Sequence, residues 1–194
     1  MAWPHTKYWK KLSCALGIIC KARYKLTALA SLLLYDSMFS SNLNYCNLIW
    51  ATTYDSLLAR ILNLQKRLLK FCIPKNQTYI MQGIPVEPMS QYHIFHKLTI
   101  YGMRNLQLAK FMYNQLYITP FPQFQPFLQR NETLYHYNTR NKQNLHPTTI
   151  STNKQKYSVL KYGITLWNTI PLNIRNSPSV HIFMKKYKTL LLTS

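Results

Sequence analysis

The side chains that could do chemistry in this chain are few, and the carboxylates are the scarcest. Asp36, Asp55, Glu87 and Glu132 are the only four in 194 residues. A polymerase or nuclease that works with two metal ions needs carboxylates clustered around them, and no two of these are neighbours in the sequence. Asp55 also has a better use, as the N-cap of the helix that follows it. His93 and His96 could share one helical face, as zinc ligands do, but no third ligand stands at a useful spacing and Glu87 lies beyond Pro88. Cys14, Cys20, Cys46 and Cys72 contain no Cys-x2-Cys pair. Sitting among apolar residues, they read as buried free thiols in a reducing compartment. No Ser/His/Asp constellation is recognisable, and four glycines without a clustered pair exclude a phosphate-cradling loop. The expectation is a chain with no catalytic residue, no metal site and no cofactor of its own.

The cations point elsewhere. Lys and Arg number 24, for a net charge of +20. Up to Lys75 there are 11 basic and 2 acidic residues, and from Asn76 onward 13 and 2, so the excess runs the length of the chain. A folded body so charged repels itself unless a polyanion neutralises it. Nucleic acid is the first such partner, because each neutralised phosphate releases counterions. An acidic membrane surface is the second, and a weak one. The stretch Ser56 to Ile73 carries the sharpest pattern. At about 100° per residue, Leu57, Leu58, Ile61, Leu62, Leu64, Leu68, Leu69 and Phe71 fall on one half of a helical wheel. Arg60, Asn63, Lys66, Arg67 and Lys70 fill the other half, and only Gln65 crosses the line. A solvated face is the plain reading of such a stripe. No acid alternates with these bases, so contact with a phosphate backbone competes with it. Further on, Tyr135, His136, Tyr137, Arg140 and Lys142 interleave rings with cations, which suits unpaired bases stacking while phosphates pair. Tyrosines packed on a core beside an exposed Arg is the competing account. Trp50 and Trp167, among apolar neighbours, read as core anchors.

These residues need elements to hold them. Residues 7 to 40 read as two helices, broken at Ser40, Ser41, Asn42 and Asn44. Tyr45 to Trp50 is a short apolar run, helical or crossing as a strand. Pro74, Gly83, Pro85 and Pro88 mark a loop. Ser90 can cap a helical stretch to about Tyr117, broken near Gly102. Pro120, Pro122 and Pro126 mark a semi-extended linker. Tyr157 to Trp167 is β-branched and aromatic enough for a strand or hairpin arm. Ser177 and Pro178 start a closing helix, as N-cap and first helical residue. Val180, Phe183, Tyr187 and Leu190 give that helix its apolar face, and Lys185, Lys186 and Lys188 its polar side. The expected fold is mainly α: a helical bundle over 1–119, a Pro-rich linker over 120–133, and a small β-hairpin or irregular module over 134–194 that ends in a helix. Lys7, Lys10 and Lys11 precede an apolar stretch, as in a secretory signal, but Lys21, Arg23 and Lys25 stand where a cleavage region should be small and uncharged. The expected location is therefore intracellular, cytoplasmic or nuclear. No stretch approaches the ~20 apolar residues that span a bilayer.

Several short motifs occur in a telling order: Leu43-Asn44-Tyr45-Cys46-Asn47-Leu48-Ile49-Trp50-Ala51, then Leu64-Gln65-Lys66-Arg67, Ile94-Phe95-His96-Lys97-Leu98, Phe111-Met112-Tyr113, Tyr137-Asn138-Thr139-Arg140, Leu166-Trp167-Asn168-Thr169-Ile170-Pro171 and Phe183-Met184-Lys185-Lys186. In that order they resemble the region after the polymerase palm of LINE-type, jockey-like non-LTR retrotransposon reverse transcriptases. The resemblance implies a thumb-like helical region with a C-terminal extension, gripping a template–primer duplex by its backbone. The palm motif of those enzymes, Tyr-x-Asp-Asp, has no counterpart: Tyr35-Asp36-Ser37 and Tyr54-Asp55-Ser56 each hold a single Asp. The chain is therefore expected to be a non-catalytic fragment of an RNA-directed DNA polymerase. Its partners would be RNA or DNA and the fingers and palm of the same polyprotein, not a membrane. The residues expected to touch nucleic acid are Arg60, Lys66, Arg67, Lys70, Tyr137, Arg140, Lys142, Lys185 and Lys186. The alternatives are a degenerate fragment with apolar faces and no autonomous function, or a basic protein that binds a membrane surface peripherally through its amphipathic helices.

Overall fold

The computed structural model describes residues 5–22, 24–52, 55–72, 92, 95–135, 141–147 and 158–193. Among them the regular structure is helical and there is no strand, so the chain is mainly α. It divides into two compact units, Met1–Met103 and Arg104–Ser194. None of the described helices is long and apolar enough to cross a membrane.

In the first unit, α1 (His5–Ala22) buries Leu12, Ala15 and Ile19 and leaves Lys10, Lys11 and Lys21 exposed. Helix α2 (Ala28–Leu34) is capped by Thr27, whose hydroxyl oxygen accepts from the Ala30 N–H at 3.3 Å. The helix then runs on through a π-helical turn, Tyr35–Ser40, into α3 (Ser41–Asn44). Ser40, Ser41 and Asn42, expected to break it, do not, and the helix ends at Asn44. The Ser41 hydroxyl donates to the Ser37 carbonyl and the Asn42 amide to the Met38 carbonyl, so both are satisfied within the helix, at the cost of its regularity. Cys46, at φ 49°, turns the chain into α4 (Asn47–Trp50), which makes the Tyr45–Trp50 run a helical turn and not a strand. Helix α5 (Asp55–Cys72) packs against α1 and α2. Tyr35, Phe39, Leu43, Leu58, Leu68 and Leu69 form the centre of this unit.

Helix α6 (Ile100–Tyr117) begins later than the sequence suggests. Thr99 caps it: its hydroxyl oxygen accepts from the Gly102 N–H at 3.1 Å. Gly102 lies buried inside the helix and does not break it. His96 sits before the helix in a left-handed turn, φ 49°, so it stands on no helical face. Ser90, His93, Glu87 and the 74–89 loop lie outside the described residues.

The second unit is built on one apolar cluster. Ala109, Met112 and Tyr113 of α6 meet Ile164 and Trp167 of α8 (Val159–Thr169), Ile174 of α9 (Leu172–Arg175), and Phe183 and Tyr187 of α10 (Val180–Thr193), with Leu145 and Ile170 between. Tyr113 stacks on Phe183 with centroids 4.8 Å apart, and Trp167 leans on the same ring at 5.7 Å. The strand or hairpin arm expected over Tyr157 to Trp167 is, from Val159 on, the helix α8, opened by Ser158, whose hydroxyl oxygen accepts from the Lys161 N–H at 3.2 Å; Tyr157 lies outside the described residues. Gly163, Ile164 and Trp167 are buried at helical spacing, and packing overrides the β-branched composition. At Gly163 an added Cβ would lie 2.6 Å from the Met112 sulfur, so the glycine is what lets α8 approach α6 this closely. The expected β-hairpin reduces, among the described residues, to an isolated antiparallel bridge between Arg130 and Leu145. The closing helix is capped by Ser179 and not Ser177. The Ser179 oxygen accepts from the Ile182 N–H at 3.3 Å, while the buried Ser177 hydroxyl donates to the Ile174 carbonyl at 2.7 Å. Between α6 and α8 the Pro-rich stretch holds a 3-10 turn, Gln125–Phe127, and α7 (Asn131–Leu134).

Candidate nucleic-acid interface

Helix α5 sorts its side chains by the wheel. Leu58, Ile61, Leu64, Gln65, Leu68, Leu69 and Cys72 are buried, with Leu62 and Phe71 at the margins; the Leu57 side chain is outside the described residues. Arg60, Asn63, Arg67 and Lys70 are exposed and Lys66 is half-buried. At about 100° per residue the four cations and Asn63 span about 120° of the helix surface. The only acid on the helix, Asp55, is its first residue. Lys70 lies in the last turn, where the helix dipole favours a cation.

Gln65, which breaks the apolar pattern, is what fixes this helix in register. It is fully buried. Its amide nitrogen donates to the Tyr35 hydroxyl at 2.8 Å and to the Leu98 carbonyl at 2.9 Å, and its amide oxygen accepts from the Ile100 N–H at 3.0 Å. It thus ties α5 to the π-helical turn and to the start of α6, and satisfies backbone groups that would otherwise be buried unpaired.

Several other cations are already engaged. Lys97 holds both oxygens of Asp36, at 2.6 and 2.7 Å. Arg130 pairs with Glu132 at 3.3 Å, both partly exposed. Arg104 is buried and lies over the Tyr162 ring at 4.4 Å. Arg175 is buried, and among the described residues it has no carboxylate as a hydrogen-bond partner. Its guanidinium donates to the Ile170 carbonyl at 2.5 Å, the Asn168 carbonyl at 2.9 Å and the Asn144 side-chain oxygen at 3.0 Å. Asn168 in turn clasps Leu145, donating to its carbonyl and accepting from its N–H, both at 2.9 Å. The residues from Trp167 to Arg175 therefore act as a structural clasp on the 141–147 loop.

Of the other expected contacts, Lys185 and Lys186 are exposed neighbours on α10, with Lys188 beside them. Lys142 is exposed on the 141–147 loop. Tyr137 and Arg140 lie outside the described residues. The structure thus brings Arg60, Lys66, Arg67 and Lys70 together on one face, and sets Lys142 and the α10 lysines on two elements of the second unit. Sequence reasoning missed Lys10 and Lys11, which it took only as the flank of an apolar stretch. With Cys14, Ile18, Met38 and Asn42 they line an open groove of about 450 Å³ between α1 and the π-helical region.

Burial, with the nearby Asp36 charge, pushes the Cys72 thiol up to about 11. Burial likewise pushes Tyr187 up to about 12 and raises Tyr35, Tyr92 and Tyr113, while it lowers Arg175. The thiol and the phenols move away from neutrality, the opposite of what a general base needs. The four cysteines are free, but they are not uniformly buried as expected: Cys72 is, Cys14 and Cys46 are exposed and Cys20 is intermediate. Among the described residues no three His, Cys, Asp or Glu side chains come together as a metal site would require. Compared with family models, curated proteins and solved structures, the chain matches none.

Proposed function

We propose that this chain is a non-catalytic nucleic-acid-binding module that grips RNA or DNA by its phosphates, working inside the cell as the accessory region of a reverse-transcriptase-like polymerase. The observation that carries the binding is the cationic face of α5: four basic side chains on one exposed arc, without an intervening acid, on a helix locked by its opposite face. A solvated helix normally mixes signs along its exposed face. The polymerase context rests on the ordered motifs from Leu43 to Lys186. Affinity for a duplex should fall steeply with salt. The Arg67→Gln, Lys70→Gln variant should shallow the slope of log K against log salt by about two, near one for each phosphate that is no longer neutralised. A salt-insensitive affinity, or an unchanged slope, removes the reading.

A second reading draws on apolar exposure in the first unit. Leu29 is 73% and Ile49 76% exposed, with Leu33 and Tyr45 also outward. A partner module, such as the fingers and palm, would cover such residues. Without one the isolated chain would bind a hydrophobic dye and self-associate as concentration rises; a monomer that binds no dye would exclude this reading.

A further inference from the structure

The Pro- and Phe-rich stretch between α6 and α7 reads as a linker in the sequence, yet it is a braced structure. The Phe121 N–H donates to the side-chain oxygen of the buried Gln115 at 3.0 Å. The Phe124 N–H then donates to the Phe121 carbonyl, and the Phe127 N–H to the Phe124 carbonyl, both at 3.0 Å. Pro120, Pro122 and Pro126 fix φ along the way. The middle ring, Phe124, is half-buried and wedged edge-on between Phe111 at 5.9 Å and Phe121 at 6.2 Å. The outer rings are not covered: Phe121 is 53% and Phe127 49% exposed.

Two half-exposed phenylalanines on this braced stretch leave apolar area in solvent, which an occupant with flat apolar faces would cover. The occupant must also tolerate the charge of the unit as a whole. The second unit carries 12 basic residues and one acid, and that acid, Glu132, is paired with Arg130. An apolar protein surface answers the rings but not the charge. A nucleobase has the flat face, and its backbone has the phosphates.

We infer that Phe121 and Phe127 form a stacking platform for unpaired bases of a single-stranded nucleic acid. The inference rests on the phosphate-binding reading above and adds to it a preference for single strands. Stacking is sequence-tolerant, because every base offers a π face. The platform therefore discriminates unpaired from paired bases and not one base from another.

The test uses the full chain with three probes: oligo(U), oligo(dT) and a blunt two-stranded DNA duplex. A Phe121→Leu, Phe127→Leu variant keeps the apolar bulk and removes the π faces. It should lose at least about fivefold in affinity for either oligonucleotide per ring removed, with duplex affinity and salt slope unchanged. The corresponding Trp variant should bind the oligonucleotides like the natural chain, with its fluorescence quenched on binding. Unchanged oligonucleotide affinity in the Leu variant, equal loss on all three probes, or failure of the Trp variant to bind would overturn the platform alone. If the natural chain binds none of the probes, the phosphate-binding reading itself fails and the platform falls with it.

Discussion

Gln65 shows how one polar side chain can decide an interior. Replacing it with Leu keeps most of its volume but strands the Ile100 N–H and the Leu98 carbonyl in the core. Gln65→Leu should cost about 3 kcal/mol or more of unfolding free energy, since each orphaned buried group costs about 1–3; denaturant titration measures it. Cys72 offers a test of a different kind. Its pKa is pushed up to about 11 from the ordinary 9.0. A raised folded-state pKa means that the contribution to stability is complete below pH 9 and is lost as pH climbs toward 11. Tyr187, raised from 10.0 to about 12, acts with the same sign over the next interval. Stability should therefore decline above pH 9, and Cys72→Ala should flatten the first part of that decline. Under native conditions a thiol reagent should label Cys14 and Cys46 quickly and Cys72 only as the chain opens.

At the scale of elements, α5 and α8 show opposite balances of local and tertiary control. In α5 the apolar period and the buried face coincide, so the cationic arc is legible from local spacing. Charge-removing changes there, such as Arg67→Gln, should leave stability within about 0.5 kcal/mol and move only the salt dependence of binding. In α8, Val159, Ile164 and Tyr162 suggested a strand, but the element is decided by the α6 surface that it must approach through Gly163. The clasp that follows it is equally tertiary. Arg175→Met removes donors from the Ile170 and Asn168 carbonyls and from the Asn144 side chain. It should destabilise by about 4 kcal/mol or more, because the three bonds from a charged donor are each worth about 1.5–3, and calorimetry would show it. A variant as stable as the natural chain would mean that water replaces the guanidinium at little cost.

For the whole molecule, charge sets the terms. With +20 on 194 residues, and Lys97, Arg104, Arg130 and Arg175 already engaged, the remaining cations still repel one another. The melting temperature should rise with moderate salt as that repulsion is screened. It should rise further with a polyanion such as heparin or RNA, in proportion to the logarithm of ligand over Kd. A melting temperature indifferent to both would mean that the cations are too dispersed to act as a field.

The sequence alone determined the mainly helical class, the two faces of α5, the tryptophan anchors and the scarcity of acids. Each of these follows from local period or composition, which a single chain carries without knowledge of its folded partners. Only the folded structure decided the rest: that Ser41 and Asn42 continue a helix, that Ser179 and not Ser177 caps α10, that Val159 to Trp167 is no strand, and that a Pro-rich linker is a braced series of turns. The physical reason is common to all four. A serine oxygen, an asparagine amide, a β-branched side chain and a phenylalanine ring each have more than one satisfactory local state. The choice between those states belongs to the neighbours each group meets once the chain is folded: a carbonyl one turn back, the Met112 sulfur, or the buried amide of Gln115.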